Sequence, residues 1–396
     1  MKNYLAITFI FLVLGACQQG KENVESTNDL LINSSFESEG LRKEPIDILL
    51  TDVDNGKYGN VDRIILVKNE KFILDTLFNN DYKKISKGKS SPIGCGYNTC
   101  QDSTAFGEFN YYHPFWHPYY KNRDIHTLQS ITKSIGSLLI GIAIDQGQIP
   151  SINVPILDYL KDFNLSKVED LMYEVTLEHL LKMKMGMRWH EIGTPSTDPN
   201  NTTFMLEKSD NWIQYTLDQP MDTIPDTEWI YNSGGSQLMA VIIKKATGLH
   251  IDEYAEKHLF GPLGIKNYHW KKSPTGFPDA LGGLYLEAKD LAKIGMLVLN
   301  KGKWDGNQIV SSQWVEKSTS RLSDSTQVSD FGYGYQWWRP DLNNIDIIAG
   351  LGYGGQLLII IPEFDLVAVT FCWNVFDEDV GDIRMSLISS LTAAHK

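Results

Sequence analysis

Ser130 and Lys133 stand three residues apart at the head of "SITKSIGSLLIGIAID", a stretch otherwise built for burial. Apolar residues recur at Ile131, Ile135, Leu138, Leu139 and Ile142, the three-four spacing of a helix face, and Ile140 and Ile144 extend it nearly all round. An ammonium in such a helix costs several kcal/mol unless it is paired or gives up its proton. The spacing puts both side chains on one face, within reach of each other. At a helix N-terminus the serine Oγ and backbone N–H feel the positive end of the dipole, which favours a developing alkoxide or oxyanion. The chemistry on offer is nucleophilic attack by the serine with the lysine as general base. A plain structural reading stands beside it, in which Ser130 caps the helix and Lys133 reaches out to solvent. Ser86 to Lys89 repeats the spacing in a polar loop with no helix behind it.

Two further groups of residues have chemical potential. "PDTEWIYNSGGSQLMAVIIKKATG" sets Tyr231 and Ser233 in a turn before a second apolar helix, and a tyrosine hydroxyl aimed at the serine would shuttle a proton to the leaving group. "GLGYGGQLLIIIPE" runs from a Gly-rich turn into a buried strand, where Gly352, Gly354 and Gly355 let the backbone approach a ligand. An N–H at the strand's edge is then the candidate second oxyanion donor beside that of Ser130, and Tyr353 and Gly354 are candidate cleft residues. Phosphate binding does not fit, because these glycines lead into a strand and not into a helix. Trp189, in "WHE", either borders the cleft or packs beneath it.

No metal centre or cofactor is expected. His113 and His117 have i, i+4 spacing, but Pro114 and Pro118 forbid the helix that would align them. The segment from Asp52 mimics a calcium loop briefly, with Lys57 where glycine is needed and Arg63 where glutamate is needed.

The elements that must hold these groups follow from periodicity. "VDRIILVKNEKFILDTLF" reads as a hairpin around Asn69-Glu70. Helical patterns follow in "TLEHLLKM", "GSQLMAVIIKKATG" and "LEAKDLAKIGMLVLNKG", and the tail turns strand-rich in "FGYGYQWW", "NIDIIAG" and "GQLLIIIPEFDLVAVTFCWN". "DIRMSLISSLTAA" closes the chain as an amphipathic helix. Strands at both ends with helices between predict an α+β fold: one antiparallel sheet made from the N- and C-terminal segments, flanked by helices, with an all-helical lobe inserted. The expected sheet lobe is about 46–125 and 330–396, and the helical lobe about 126–329.

The chain of 396 residues is long enough for a core that needs no staples, and its net charge of −13 argues against nucleic acid as a partner. The opening "MKNYLAITFIFLVLGACQQG" has the basic, apolar and small-residue order of an export signal and is short for a membrane span. Its end, Leu14-Gly15-Ala16-Cys17, resembles the lipobox of bacterial lipoproteins. That resemblance implies a signal over 1–17, lipidation of Cys17, a membrane anchor, and a location on the periplasmic or cell-surface side. Residues 18–45, polar and without period, read as a flexible tether to a domain over 46–396. In an oxidising compartment Cys95 and Cys100 either close a small loop or stay as two thiols. Cys372 lies in an apolar run and reads as core.

Ser-x-x-Lys, then Tyr-x-Ser about a hundred residues on, then a Gly-rich strand near the C-terminus resemble the β-lactamase-related serine hydrolases. That group includes class C β-lactamases, low-molecular-weight penicillin-binding proteins, family VIII carboxylesterases and 6-aminohexanoate-dimer hydrolases. "SITKSIGSLLIGIAIDQG", "IYNSGGSQLMAVIIKKATG" and "GGLYLEAKDLAKIGMLVLNKGKWDGNQIVSSQWV" carry the likeness over roughly 55–395. It implies a β-lactamase/DD-peptidase-like fold and an acyl-serine mechanism on small ester, amide or peptide-like substrates. Ser130 would be the nucleophile, Lys133 and Tyr231 would share the acid and base roles, Ser233 would complete the Tyr-x-Ser element, and Ser130 and Gly355 would hold the oxyanion. A penicillin-binding, carboxypeptidase-like role, or a non-catalytic cell-wall sensor of the same fold, is the alternative. Three departures bear on substrate. Gly352-Tyr353-Gly354 stands where penicillin-recognising members carry Lys-Thr-Gly, so the cation that meets a substrate carboxylate is missing. "MKMGM", residues 183–187, replaces the commoner Thr-Ser-Gly turn, and Asp226 occupies a usual glycine.

Overall fold

The two β-rich runs either side of Asn69-Glu70 pair as β2 (Val61–Lys68) and β3 (Lys71–Leu77), and both turn residues take positive φ, 50° and 60°. That is the turn whose twist matches a tight antiparallel hairpin. In the computed structural model the described residues are 32–85, 87, 124–195, 198–324, 326–328, 331–342, 344–374 and 380–395. Cys17, Cys95, Cys100, His113 and His117 lie outside them. Residues 31–396 form one compact unit.

The hairpin is completed by C-terminal strands: β4 (Phe331–Tyr333), β5 (Trp338–Leu342), β6 (Ile348–Gly352), β7 (Gln356–Ile361) and β8 (Leu366–Cys372). With β1 (Ile32–Asn33) the order is β1-β3-β2-β8-β7-β6-β5, and β4 and the short strand Ile345–Asp346 also pair with β5. Among the described strands of this sheet, only β1 runs parallel to its neighbour. The N- and C-terminal segments thus meet at β2–β8, as expected from strands at both ends of the sequence.

Alternation along the strands sends side chains to two cores. Ile65, Val67, Leu358, Ile360, Val367 and Val369 face one, and Ile64, Leu66, Leu357, Ile359 and Ala368 face the other. Helices α1 (Glu44–Asp54) and α7 (Ile383–His395) cover the second face with Ile46, Leu49, Ile383 and Leu387. The first is covered by α2 (Ile131–Asp145) and α6 (Ala288–Leu299). Between α2 and α6 in sequence come α3 (Leu177–Leu181), α4 (Thr202–Lys208) and α5 (Ser233–Thr247), with α5 packed on α2.

Two expectations are amended. Residues 32–45 are not tether: β1 pairs with β3, Phe36 and Leu41 are buried, and the carboxylate of Glu39 accepts from Lys71, Asn69 and Ser34. These apolar residues are too few and too irregular to show a period, so long-range packing alone reveals them. The inserted lobe is not all-helical. His126–Thr127, Leu284–Leu286 and Tyr268–Trp270 form a small antiparallel sheet, from runs too short to betray alternation. That sheet matters, because His126–Thr127 leads directly into Ser130. Its His126 is fully buried, with Nε2 3.0 Å from the Asp62 carboxylate on β2 and the ring stacked on Phe371 of β8.

The lobe and the sheet are joined through Gln336, a fully buried residue with φ of +64°. Its Nε2 donates to the carbonyls of Leu180 (3.2 Å) and Leu181 (2.9 Å) on α3, and its Oε1 accepts from Ser236 Oγ on α5 at 2.8 Å. Its backbone carbonyl accepts from Ser134 Oγ on α2 at 2.7 Å. One residue therefore ties the helix behind Ser130 to the helix behind Tyr231, at the cost of a backbone conformation that favours glycine. Gln336→Ala keeps that conformation and loses the side-chain bonds, and is expected to destabilise by about 2–4 kcal/mol. Gln336→Gly loses the same bonds but relieves the backbone, and is expected to cost about 1 kcal/mol less. Urea melts of the two variants check the order.

Candidate active site

Ser130 sits at the N-cap of α2 with helical φ and ψ (−63°, −9°), and its side chain makes no capping bond. Lys133 does not reach solvent: it is 1% exposed, and its Nζ donates to Ser130 Oγ at 2.9 Å and to the Leu281 carbonyl at 2.6 Å. The buried nitrogen is compensated by these short polar contacts, one of them with the Ser130 hydroxyl. Gln129, immediately before the serine, takes φ of +48°, so the chain turns sharply to present Ser130 at the cleft.

The carbonyl partner is itself positioned. Asp279 Oδ1 accepts from the backbone N–H of Leu281 (3.1 Å) and Gly282 (2.9 Å), which closes the turn that aims Leu281 O at Lys133. Gln237 of α5 braces the turn from behind, donating to Pro278 O and accepting from Ala280 N. Burial raises the Asp279 carboxyl above its ordinary value, although the charges of Lys271 and Lys133 pull it down.

Tyr231 is 6% exposed, and its ring centroid lies 5.1 Å from Lys133 Nζ. The ring is stacked on Trp338 at 5.7 Å and packed against Trp229 at 6.1 Å, so its orientation is set by an aromatic wall. Two residues on, Ser233 opens α5, while Asn232 is the helix cap and accepts from Gly235 N at 2.7 Å. Ser233 turns to Glu191: its Oγ donates to Oε1 at 2.7 Å and its backbone N–H to Oε2 at 3.2 Å. Glu191 Oε2 also accepts from Trp189 Nε1 and Thr203 Oγ1.

A cleft of about 320 Å³ opens in front of Ser130, with Glu191, Glu207, Ser233, Leu281 and Tyr353 among its walls. Tyr353 stands at the lip, 39% exposed. Three assignments from sequence shift. Trp189 is buried and is not a wall of the cleft; it packs beneath, against Gly234, and Glu191 of the same "WHE" faces the space. Gly355 and Gly354 also lie off the wall. A Cβ on Gly355 would meet Cys372 Cβ at 2.7 Å, its carbonyl accepts from Thr370, and Gly354 O accepts from Asn374 N, so this end of the hairpin leans on β8. Gly352 is the glycine beside the nucleophile, since a Cβ there would strike Leu128 O at 2.4 Å.

Glu207 went unnoticed in the sequence, where it is one acid on the polar side of a short helix. On α4 it is half-buried and borders the cleft, and burial pushes its carboxyl from the ordinary 4.5 up to about 7. The nearby charges of Asp279 and Glu191 push the same way, against the pull of Lys271 and Lys133. Among the described residues, groups of three or more His, Cys, Asp or Glu arranged for a metal ion are absent.

A helix-borne serine and lysine, a buried tyrosine and a glycine-rich hairpin, set between an antiparallel sheet and a mainly helical lobe, define the β-lactamase and penicillin-binding-protein class of fold. The chain belongs to the Beta-lactamase family, whose model matches residues 117–384. It is 27% identical over 265 residues to the 6-aminohexanoate-dimer hydrolase of Paenarthrobacter ureafaciens, which covers 62% of this chain and 65% of that protein. The chain therefore spans less than two thirds of that relative. Among solved structures, EstCE1, a hydrolase with promiscuous acyltransferase activity, superposes with a TM-score of 0.65 at 12% identity, covering 91% of this chain and 99% of that one. A penicillin-binding protein homologue from Caulobacter crescentus gives 0.61 at 13% identity, covering 91% and 99%. These two likenesses are of fold. Hydrolase activity of the amidase and esterase kind is supported at the level of the family.

The raised carboxyl of Glu207 has a consequence for stability. Between the unfolded value of 4.5 and the folded value of about 7 the native state holds the extra proton, so stability falls as pH rises through that window. Glu207→Gln removes the loss. Its Tm is expected to exceed the wild type's by about 2–5 °C at pH 8 and by little at pH 5. Calorimetric scans at the two pH values check the difference.

Proposed function

We propose that the chain is an acyl-serine hydrolase of small esters or amides. The observation that carries this reading is the buried Lys133 Nζ held 2.9 Å from an uncapped Ser130 Oγ at the mouth of a cleft. Ser130 Oγ bonds to the substrate carbonyl carbon while its proton passes to the lysine–tyrosine pair. The tetrahedral adduct then collapses: the bond to the leaving oxygen or nitrogen breaks, and that atom takes the proton. Water, deprotonated by the same pair, releases the acid and restores the serine.

The N–H of Ser130 supplies one oxyanion donor, with the α2 dipole behind it. The second is assigned to the hairpin edge at Gly352–Tyr353 and not to Gly355, because Gly352 lies against the chain entering Ser130 and Tyr353 shares its cleft. Ser233, bonded to Glu191, is a positioning residue for the opening of α5 just after Tyr231. The acidic cleft supports esters and amides over carboxylate-bearing β-lactams and cell-wall peptides.

The leader and Cys17 support export and a lipid anchor as part of the same proposal. Among the described residues no helix is long and apolar enough to cross a membrane.

Turnover of p-nitrophenyl butyrate tests the reading. Sustained hydrolysis that falls by about 10³-fold or more in Ser130→Ala and in Lys133→Ala is expected. Equal rates in wild type and both variants, with no acyl adduct on intact-mass analysis, would remove the acyl-serine reading.

A further inference from the structure

His126 and Asp62 are both fully buried, yet neither touches the cleft. His126 Nε2 lies 3.0 Å from Asp62 Oδ2, and its Nδ1 lies 3.1 Å from Thr127 O. The Asp62 carboxylate is fixed independently of the histidine, because its Oδ1 accepts from Tyr82 Oη and from Asn80 Nδ2. The imidazole also stacks on Phe371 at 4.7 Å. A buried polar pair is a poor route to stability, since apolar side chains of equal volume do as well or better. What it adds to packing is direction.

That direction bears on two segments. Downstream of His126, Thr127 Oγ1 accepts from the backbone N–H of Gln129 at 3.2 Å and from its Nε2 at 3.1 Å, and Leu128 N donates to Leu284 O at 2.8 Å. These bonds hold Gln129 in the positive-φ conformation that presents Ser130. On the other side, Phe371 is followed by Cys372, the residue on which the Gly-rich hairpin leans. Gln356 Nε2 donates to Cys372 O, Gln356 Oε1 accepts from Cys372 N, and Gln356 is the strand partner of Gly352. The segment entering Ser130 thus hangs from His126, and the Gly352–Tyr353 edge hangs from the residue after Phe371.

An oxyanion hole works only if its two N–H groups keep a fixed separation, each about 2.7–3.1 Å from the developing charge. The strand His126–Thr127 is only two residues long, and a ladder that short does not fix its own position against the main sheet. Resting on the hydrolase reading above, we propose that His126 is a positioning residue for the oxyanion hole: through Asp62 and Phe371 it sets the distance between the Ser130 N–H and the Gly352–Tyr353 edge.

The test uses the full chain with p-nitrophenyl butyrate and with butylboronic acid. The boron accepts an electron pair from Ser130 Oγ, and the tetrahedral adduct puts an oxygen where the oxyanion would form. His126→Asn keeps a donor near the place of Nδ1 and loses the one toward Asp62, whereas His126→Gln keeps a donor near the place of Nε2. In His126→Asn kcat is expected to fall about 10- to 100-fold with KM within about twofold, and the boronate Kd to rise by a similar factor, as for a donor misplaced but still present. His126→Gln should recover kcat to within about fivefold of wild type. Melting curves confirm that the variants fold. Folded His126→Asn with wild-type kcat and boronate affinity, or a loss that His126→Gln shares in full, overturns the proposal and leaves the hydrolase reading intact. Should His126→Asn not fold, Phe371→Leu decides from the β8 side: a loss in kcat and boronate affinity of about three- to tenfold sustains the proposal, and no loss overturns it. If wild type hydrolyses no ester, the hydrolase reading fails instead, and the boronate alone decides. Binding that weakens in His126→Asn sustains the positioning role, and equal binding, or none to wild type, overturns it.

Discussion

A lysine nitrogen held out of water between a serine hydroxyl and a backbone carbonyl is the constraint around which this molecule is arranged. The desolvation of Lys133 is affordable only while Ser130 Oγ and Leu281 O stay at 2.9 and 2.6 Å. Each partner is therefore fixed by something larger. Leu281 O is aimed by a turn that closes on Asp279 and is braced by Gln237 from α5. Ser130 follows a strand whose His126 is pinned between Asp62 and Phe371 of the main sheet. The helix behind it is tied to α3 and α5 through Gln336. Sheet, lobe and turn converge on one pair of short contacts, and so the candidate catalytic groups come from segments far apart in the chain.

The cleft shows how one residue type does two jobs according to its surroundings. Glu191 and Glu207 border the same space, but the first accepts from Trp189, Thr203 and Ser233, and the second is governed by burial and the charges around it. Burial raises Glu207 toward neutrality, so its charge is conditional where that of a surface acid is not. A family likeness of fold cannot supply this distinction. It arises from donors and packing around two side chains.

Much of the fold could be read from the chain, and the reasons are particular. The β2–β3 hairpin and the β7–β8 pair are long apolar runs around turn residues, and α2 and α5 have long periodic faces, so local pattern is enough. Ser130, Lys133 and Tyr231 were legible because each stands at the mouth of such a helix. What escaped was non-local. The Leu281 carbonyl has no side-chain signature at all. Glu191 and Glu207 look like ordinary acids until the cleft forms between them. The placement of Gly355 and Trp189 depended on which way a hairpin leans and which side of a ring is covered, and neither is written in spacing. Residues 32–45 and the short sheet around His126–Thr127 are held by distant partners.

Two of the departures from the family's usual pattern, the 183–187 turn and Asp226, belong to one another. Asp226, at a position that takes φ of +70°, would be strained alone, but Lys182 pairs with it at 2.7 Å, Lys184 lies at 3.8 Å, and its N–H donates to Lys184 O. Those lysines flank Met183, whose carbonyl accepts from Ile230 and whose sulfur accepts from Asn232, the two residues that bracket Tyr231. Gly186 O, in the same short segment, accepts from the N–H groups of Asp222 and Thr223 on the irregular stretch that leads to Asp226. The 183–187 turn and the Asp226 turn are therefore one interlocked unit, and what it grips is the backbone of the tyrosine. A glycine at 226 would free the backbone but remove the carboxylate that pairs with Lys182, so the unusual residue and the unusual turn support each other.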